Sequence, residues 1–528
     1  MDEPLIVGVD IGGTHTDGAF VNRTGKILAT CKVLTTEPVD MGVQRIIELL
    51  LQKSQREVSA IEAVAIGSTH ALNALLQCRG LAKVGLLRLA GHLPTSLSPC
   101  SGHWPQDMKA ALLSSAETVA GGFECNGRAI TPFSRQAVAA AVERLLAQGA
   151  EEIAVVGTFA PLYPEQELEA ASIIEEVTRG QIVATLSHQI GTVGFTMREG
   201  AALLNSALKP AMGEAVRSLL SLGKSLQVKA PFFLTQNDGS LIEASQAERF
   251  PLFTLCSGPV NSCVGAAKLA GLTDAVVVDV GGTSADIGIV LNGYPRRSAH
   301  HVRIGGIAVN FRAPDLFSLP IGGGTLVDEV SGRLRAESCG SAIMERARAF
   351  GGDLLTLTDL ALVMGRLQIR GANPSAVSYS PEAAHRLLSE IEQRLFHGCQ
   401  RMRGERKELP ILLVGGGAPL LHGGALSMAQ IPEHHQVANG YGAALAEVSS
   451  TIDRSIEWVD QHQTVEQLSY EAKQSAIRLG ADPQRCRLVE LQILPYHYMS
   501  PPVARFVVTA SGPRRPSSTM ASLSATEI

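Results

Sequence analysis

Asp10-Ile-Gly-Gly-Thr-His-Thr-Asp17 and Asp279-Val-Gly-Gly-Thr-Ser-Ala-Asp286 share Asp, Gly, Gly, Thr and Asp at matched positions. Each follows a short apolar run (residues 5–9 and 275–280) and leads into another (17–21 and 286–291). Turn residues come next in both copies, at 22–25 and 292–295, and then a third strand over 27–34 or 296–304. One Asp-x-Gly-Gly-Thr alone reads as a tight hairpin whose Asp and Thr satisfy the turn. Two copies in equivalent settings are an internal repeat, which a chance turn does not explain. Paired glycines let the main chain bend and bring several N–H groups close to an anion. Thr14 and Thr283 add hydroxyl donors, and Asp10 and Asp279, at strand ends, are placed to hold Mg²⁺ or orient a nucleophile. The pair predicts two phosphate loops.

The surrounding pattern is α/β. Residues 41–56 carry Val43, Ile46, Ile47, Leu50 and Leu51 on one helical stripe. A strand over 63–66 leads to a helix over 70–78, and 134–148, 153–159 and 165–178 read as helix, strand, helix. A long helix is predicted over 198–222, with later helices over 341–350, 381–400, 441–450 and 464–479, and strands near 487–494 and 503–509. A Rossmann site is excluded because both loops lead into strands rather than helices. Gly223-Lys224-Ser225 imitates a P-loop, but Ser218 stands where that motif needs glycine, and the triplet ends a helix. Val414-Gly-Gly-Gly-Ala-Pro419 offers a third glycine turn after a strand and before a helix. A phosphate hairpin in each of two similar domains, with such a turn late in the second, resembles the actin/sugar-kinase/Hsp70 superfamily. The resemblance implies two related actin/hexokinase-like (ribonuclease H-like) domains with a nucleotide cleft between them.

Composition sets outer limits. A chain of 528 residues exceeds one core, and 45% apolar with 18% charged residues is globular. A net charge of -5 argues against a nucleic-acid surface. The nine scattered cysteines lack a C-x-x-C pair and read as reduced thiols in a cytoplasm. The acidic Met-Asp-Glu-Pro start lacks the basic region of a signal peptide, and no apolar run suits a membrane span.

Further motifs narrow the family. Gly8-Val-Asp-Ile-Gly-Gly-Thr-His-Thr-Asp17, Gly67-Ser-Thr-His-Ala-Leu-Asn-Ala-Leu-Leu76, Cys256-Ser-Gly-Pro-Val260 with Gly265-Ala-Ala267, and Val278-Asp-Val-Gly-Gly-Thr-Ser-Ala-Asp286 resemble the hydantoinase A/oxoprolinase family in order and spacing. The resemblance spans residues 5 to 450 and implies ATP-dependent activation of a cyclic amide (a hydantoin, lactam or 5-oxoproline) by phosphorylation of its carbonyl oxygen, then hydrolysis of the carbon–nitrogen bond. It implies ATP and Mg²⁺ as cofactors and a companion hydrolase subunit or a homo-oligomer. Asp10 and Asp279 would be the catalytic and metal-binding carboxylates. Gly12, Gly13, Thr14, Gly281, Gly282 and Thr283 would cradle phosphates, and Gly416 and Gly417 would lie against the nucleoside. Thr69 and Asn73 fall in a motif near the cleft, where substrate contact and a helix cap with a buried amide are equal readings. Asp17 and Asp286 support the loops or cap strands, Ser257-Gly258 is an anion site or a cap, and Asn205 matches without a role. Long members continue well over a hundred residues further, so the chain reads as a short form. The same fold also allows a nucleotide-switched, chaperone-like protein, a small-molecule kinase or an ATP-dependent ketone carboxylase subunit.

The expected division is 1–197 for the first domain, 198–450 for the second, 451–510 for a small α/β extension and 511–528 for a disordered tail. His300-His301 and His434-His435 lack ligand spacing and read as surface or packing residues. Cys256 reads as a small buried apolar residue. No G-x-S-x-G elbow occurs.

Overall fold

Both loop segments bridge antiparallel hairpins in the computed structural model, which describes residues 4–36, 39–68, 70–91, 98–100, 104–298, 302–311, 313–497 and 502–515. Leu5–Ile11 pairs with His15–Asn22, and Ala275–Val280 pairs with Ala285–Leu291. The register is the same in both: Asp10 faces Asp17, and Asp279 faces Asp286. Each leading strand also pairs in parallel with a later one, Ile61–Ser68 in the first copy and Ile411–Val414 in the second. The repeat in the sequence is therefore a repeat of three strands in space. These strands are apolar on both faces because helices cover both faces. Val7, Val9 and Val64 are fully buried in the core that holds helix Val39–Ser54, and Gly18 faces that helix too, a β-carbon there lying 2.3 Å from Ile46; Gly8 faces helix Ala438–Leu445 on the other side.

The first hairpin belongs to a nine-stranded sheet ordered Arg487–Pro495, Val503–Gly512, Glu447–Glu457, Ser240–Glu243, Phe232–Thr235, Ile61–Ser68, Leu5–Ile11, His15–Asn22, Ile27–Leu34. The second belongs to a five-stranded sheet. A four-stranded parallel sheet, Leu113–Val119, Val84–Leu89, Glu152–Gly157, Thr185–Leu186, stands beside the first. Helix Phe195–Ser225 joins these two sheets. It buries Arg198 and Glu199, and each is paired: Arg88 Nε donates to Glu199 Oε2 at 2.6 Å, and Arg198 Nε donates to Ser187 Oγ at 2.8 Å. Asn205, on the same helix, donates to the Arg249 carbonyl at 2.9 Å and so braces the chain ahead of helix Ser257–Leu269.

The expected boundaries at 197/198 and 450/451 do not fall between sheets. Phe232–Thr235 and Ser240–Glu243 add to the first sheet, and so do all three strands of the stretch from 447 to 512. The expected extension is the completion of the first lobe: its strands bury Phe506, Val508 and Ala510 against helix Gln461–Arg478 and against Ala63 and Ala65 of the first sheet. Ser511 and Gly512 end a strand rather than begin a tail, and Arg514 Nη1 donates to the Glu62 carbonyl. Residues 516–528 lie outside the described residues. The expected helix over 441–450 ends at Leu445, because Glu447 begins a strand paired with Val503–Gly512. The one expected over 341–350 is broken into short turns.

The third strand of the second repeat also differs. Only Tyr294–Pro295 continues the hairpin, and Leu316–Leu319 takes the sheet edge instead. Val302–Ile304 turns back on Ile307–Val309 through Gly305 and Gly306, at φ +55° and +81°. That small hairpin buries Ile304, Ile307 and Val309 in the core of the first lobe. Burial there replaces the pairing that an apolar run in sequence suggests.

Two helices carry the chain between the lobes. Ser257–Leu269 leads from Ser240–Glu243 to Ala275–Val280, and Ala438–Leu445 leads from Ile411–Val414 back to Glu447–Glu457. They pack backbone against backbone. A β-carbon at Gly265 would lie 1.9 Å from the Ala438 carbonyl oxygen, one at Gly442 2.0 Å from the Asn261 carbonyl oxygen, and one at Gly8 1.9 Å from the Gly440 carbonyl oxygen. This contact fixes how closely the two loop hairpins face each other.

Candidate active site

The first loop is closed by Gly12 N–H donating to the His15 carbonyl at 3.0 Å, and the second by Gly281 N–H donating to the Ser284 carbonyl at 2.9 Å. The same bond at the same position completes the equivalence of the copies. The loops meet tip to tip: a β-carbon at Gly282 would lie 2.7 Å from Thr14 Oγ1. Thr14 is buried in this contact, whereas Gly13 and Thr283 are exposed and open to a ligand. Gly322–Gly324 backs the second loop, with Gly323 and Gly324 N–H groups donating to the Gly281 and Gly282 carbonyls at 3.0 and 2.7 Å.

Both leading aspartates rest on a glycine of the parallel neighbour. A β-carbon at Gly67 would lie 2.3 Å from Asp10 Oδ1, and one at Gly415 2.3 Å from Asp279 Oδ1. Each glycine is the space its carboxylate occupies. Asn439 Nδ2 donates to Asp10 Oδ2 at 3.2 Å, and Gly440 N–H to Asp17 Oδ1 at 3.3 Å. Lys32 Nζ pairs with Asp17 Oδ2 at 3.1 Å and donates to the Gln436 carbonyl at 2.9 Å. Ser318 and Ser284 donate to Asp286.

Four carboxyls thus gather around one cleft, Asp10 and Asp17 buried and Asp279 and Asp286 partly so. Burial pushes Asp10 up to about 7, with Asp17 adding to the rise, and pushes Asp286 up to about 6; burial raises Asp17 and Asp279 as well. Lys32 opposes the shift at Asp10, Asp17 and Asp279. Asp10 Oδ1 is buried with no hydrogen-bond partner among the described residues. An orphaned carboxylate oxygen in a site short of positive charge fits a divalent cation. No cluster of three or more metal-ligating side chains occurs among the described residues.

The third glycine turn lies beside the second hairpin. Gly417 N–H donates to the Val280 carbonyl at 2.8 Å, and Gly417 is buried against Val280, while Gly416 is exposed. A 3-10 turn, Ala418–Leu421, follows where a helix is expected. His435 Nδ1 lies 3.0 Å from the Gly415 carbonyl and His434 is half exposed, while His300-His301 lies outside the described residues. Burial, with Lys32, holds His15 down at about 4, so it brings no charge to the loop. Burial pushes the Cys256 thiol up to about 11, which makes it unreactive at neutral pH. Thr69 lies outside the described residues, and Asn73 sits exposed on helix His70–Leu76. Lys32 and Asn439 are the site residues that sequence reading missed. Lys32 occupies an alternating strand position that reads as solvent-facing, and Asn439 a helix start that reads as a cap.

The chain matches the hydantoinase/oxoprolinase N-terminal region over residues 6–178 and the hydantoinase/oxoprolinase family over residues 198–402. This chain belongs to the hydantoinase/oxoprolinase family. As a member, it is similar to the acetophenone carboxylase gamma subunit of Aromatoleum aromaticum, with 25% identity over 68% of this chain and 53% of that protein. It is also similar to the caprolactamase subunit alpha of Pseudomonas jessenii, with 23% identity over 71% of this chain and 52% of that protein. The chain thus spans about half the length of these relatives. The crystal structure of the ATP-dependent caprolactamase from Pseudomonas jessenii superposes with a TM-score of 0.75 and 18% identity, covering 97% of this chain and 88% of that one. The hydantoinase/oxoprolinase fold here is the α/β, actin/hexokinase-like fold. No helix among the described residues is long and apolar enough to cross a membrane.

Proposed function

We propose that this protein uses Mg-ATP to phosphorylate the carbonyl oxygen of a cyclic amide such as a lactam or hydantoin, which is then hydrolysed with the help of a companion subunit. The observation that carries this reading is the pair of aspartate–glycine hairpins, matched in register and meeting tip to tip across one cleft. Bound ATP would supply the phosphoryl group, and magnesium the positive charge the site lacks. Asp10 and Asp279 would hold the cation, and Asn439 fixes the Asp10 carboxylate in place. Exposed Gly13 and Thr283, with Gly282 beside them, would offer backbone N–H groups to phosphate oxygens, while Gly12 and Gly281, whose N–H groups close the loops, would hold the cradle in shape. Thr14 would set the spacing of the loops, and Gly416, more than buried Gly417, would lie against the nucleoside. Asp17 anchors Lys32 between the first loop and the third turn. An amide resists water because its C–N bond is resonance-stabilised. Moving a phosphoryl group onto its oxygen removes that resonance and leaves an electrophilic carbon. Both named relatives are subunits, which supports a partner, and the nine free thiols support a cytoplasmic setting. Similarity to a carboxylase subunit supports a second reading, the same phosphorylation applied to a ketone before carboxylation.

Phosphate release measured against lactams, hydantoins and ketones, with and without the candidate companion, separates these readings. Stimulation by amides with release of the ring-opened product is expected. If only a protein client raises turnover, the proposal is lost.

The buried carboxyls add a dependence on pH. Asp10 is protonated below about 7 and must release that proton to bind a cation. Mg-ADP affinity, measured by calorimetry, is therefore expected to weaken about tenfold for each pH unit below 7 and to level off above it. An affinity unchanged from pH 5.5 to 8 would remove Asp10 from the cation site.

A further inference from the structure

A second cavity, of about 450 Å³, opens at the carboxyl ends of three adjacent strands of the first sheet. Ile11, Ser68 and Thr235, the last residues of Leu5–Ile11, Ile61–Ser68 and Phe232–Thr235, line it, and Ile11 immediately precedes the first loop glycine. In open α/β sheets this is the edge where ligands sit. Its walls are apolar, formed by Ile66, Ala71, Met212, Leu219 and Leu234. Among the described residues the charged side chains that line it are Asp40 and Glu214, both acidic. Asp40 is engaged by Ser218, whose hydroxyl donates to its Oδ2 at 2.9 Å.

The polar groups inside are mostly committed. Thr235 Oγ1 accepts from Asn261 Nδ2 at 2.8 Å, and Thr254 Oγ1 donates to the Pro251 carbonyl at 2.9 Å. Ser257 is different. It is fully buried, it lines the cavity, and its hydroxyl has no partner among the described residues. A buried hydroxyl without a partner is costly, and a ligand carbonyl or N–H that enters the cavity would satisfy it.

We propose that this cavity is the acceptor site, and that it selects neutral, largely apolar lactams or ketones over carboxylate-bearing ones such as 5-oxoproline, with Ser257 bonded to the polar edge of the ring. This rests on the carbonyl-phosphorylating reading above and narrows its substrate class. The apolar walls take a hydrocarbon ring, and the volume suits a small molecule. A carboxylate would meet Asp40 and Glu214 without a cation among the described lining residues to pair with.

The test uses the full chain with Mg-ATP, following phosphate release with δ-valerolactam, cyclohexanone and 5-oxoproline, and titrating ADP separately to report on the hairpins. The neutral compounds are expected to stimulate turnover at concentrations at least tenfold below 5-oxoproline. Ala71→Phe, which fills the cavity, is expected to raise the half-saturating concentration of the neutral compounds at least tenfold. Glu214→Arg, at an exposed position, is expected to narrow the gap to 5-oxoproline at least threefold. Equal response to 5-oxoproline, or an Ala71→Phe protein that responds like wild type, overturns the cavity assignment and leaves the phosphorylation reading standing. If ADP binds and no carbonyl compound stimulates the wild-type chain, with or without the companion, the phosphorylation reading itself fails and this inference falls with it.

Discussion

Asp10→Asn is expected to lower ATP turnover by about 10²–10³-fold while raising the thermal stability of the ligand-free protein. The two effects have one cause. Asp10 is buried beside Asp17 and Asp279, one of its oxygens has no partner among the described residues, and burial lifts it to about 7. A carboxyl with a raised value stabilises the fold when protonated, and that contribution is lost as pH rises through about 7. Ligand-free wild type should therefore melt at lower temperature at pH 8 than at pH 6, apart from other titrations, and Asp10→Asn should flatten that difference. The asparagine oxygen can still accept from Asn439, so the packing survives. What disappears is the negative charge that would hold a cation against phosphate. Melting curves with and without Mg-ADP at both pH values check this. A variant that keeps wild-type turnover, or that melts lower at pH 8, contradicts the assignment.

Gly265→Ala and Gly442→Ala are expected to be the most damaging substitutions outside the loops. Each would place a methyl carbon about 2 Å from a carbonyl oxygen of the facing helix, which no side-chain movement can relieve. Overpacking in a core typically costs about 1–3 kcal/mol, and a backbone clash belongs at or above the upper end. The helices must separate, and they carry Asn261 and Asn439 at the floor of the site. Low soluble yield, or a midpoint several degrees lower together with weaker nucleotide binding, is expected. Lys268→Ala, on the exposed side of the same helix, should leave both unchanged. Wild-type melting and ADP affinity in Gly265→Ala would show that the helix pair does not set the spacing of the hairpins.

The loops were legible because their information is local: two aspartates, two glycines and a strand on either side specify a hairpin wherever it lies. The amphipathic helices were legible for the same reason, through a stripe that needs no partner to be seen. Gly67 was read as part of a family motif, but its purpose depends on a carboxylate 57 positions away in sequence and one strand away in space. Lys32 meets Asp17 directly across two adjacent strands, a register that no local pattern announces, and Asn439 reaches Asp10 from 429 positions away in sequence. Phe232–Thr235 and Ser240–Glu243 have four residues each, too few for a period to show. Val302–Ile304 is apolar enough to continue its sheet, and the choice made by burial against another lobe has no local signature.

The nine-stranded sheet has a consequence for how the protein is made. Its strands come from three separated stretches, 5–68, 232–243 and 447–512, with the second lobe encoded between the last two. On the ribosome, Ser240–Glu243 stands at an open sheet edge while some two hundred further residues are synthesised. Only when Glu447–Glu457 emerges can that edge be paired. The first lobe to begin folding is also the last to finish.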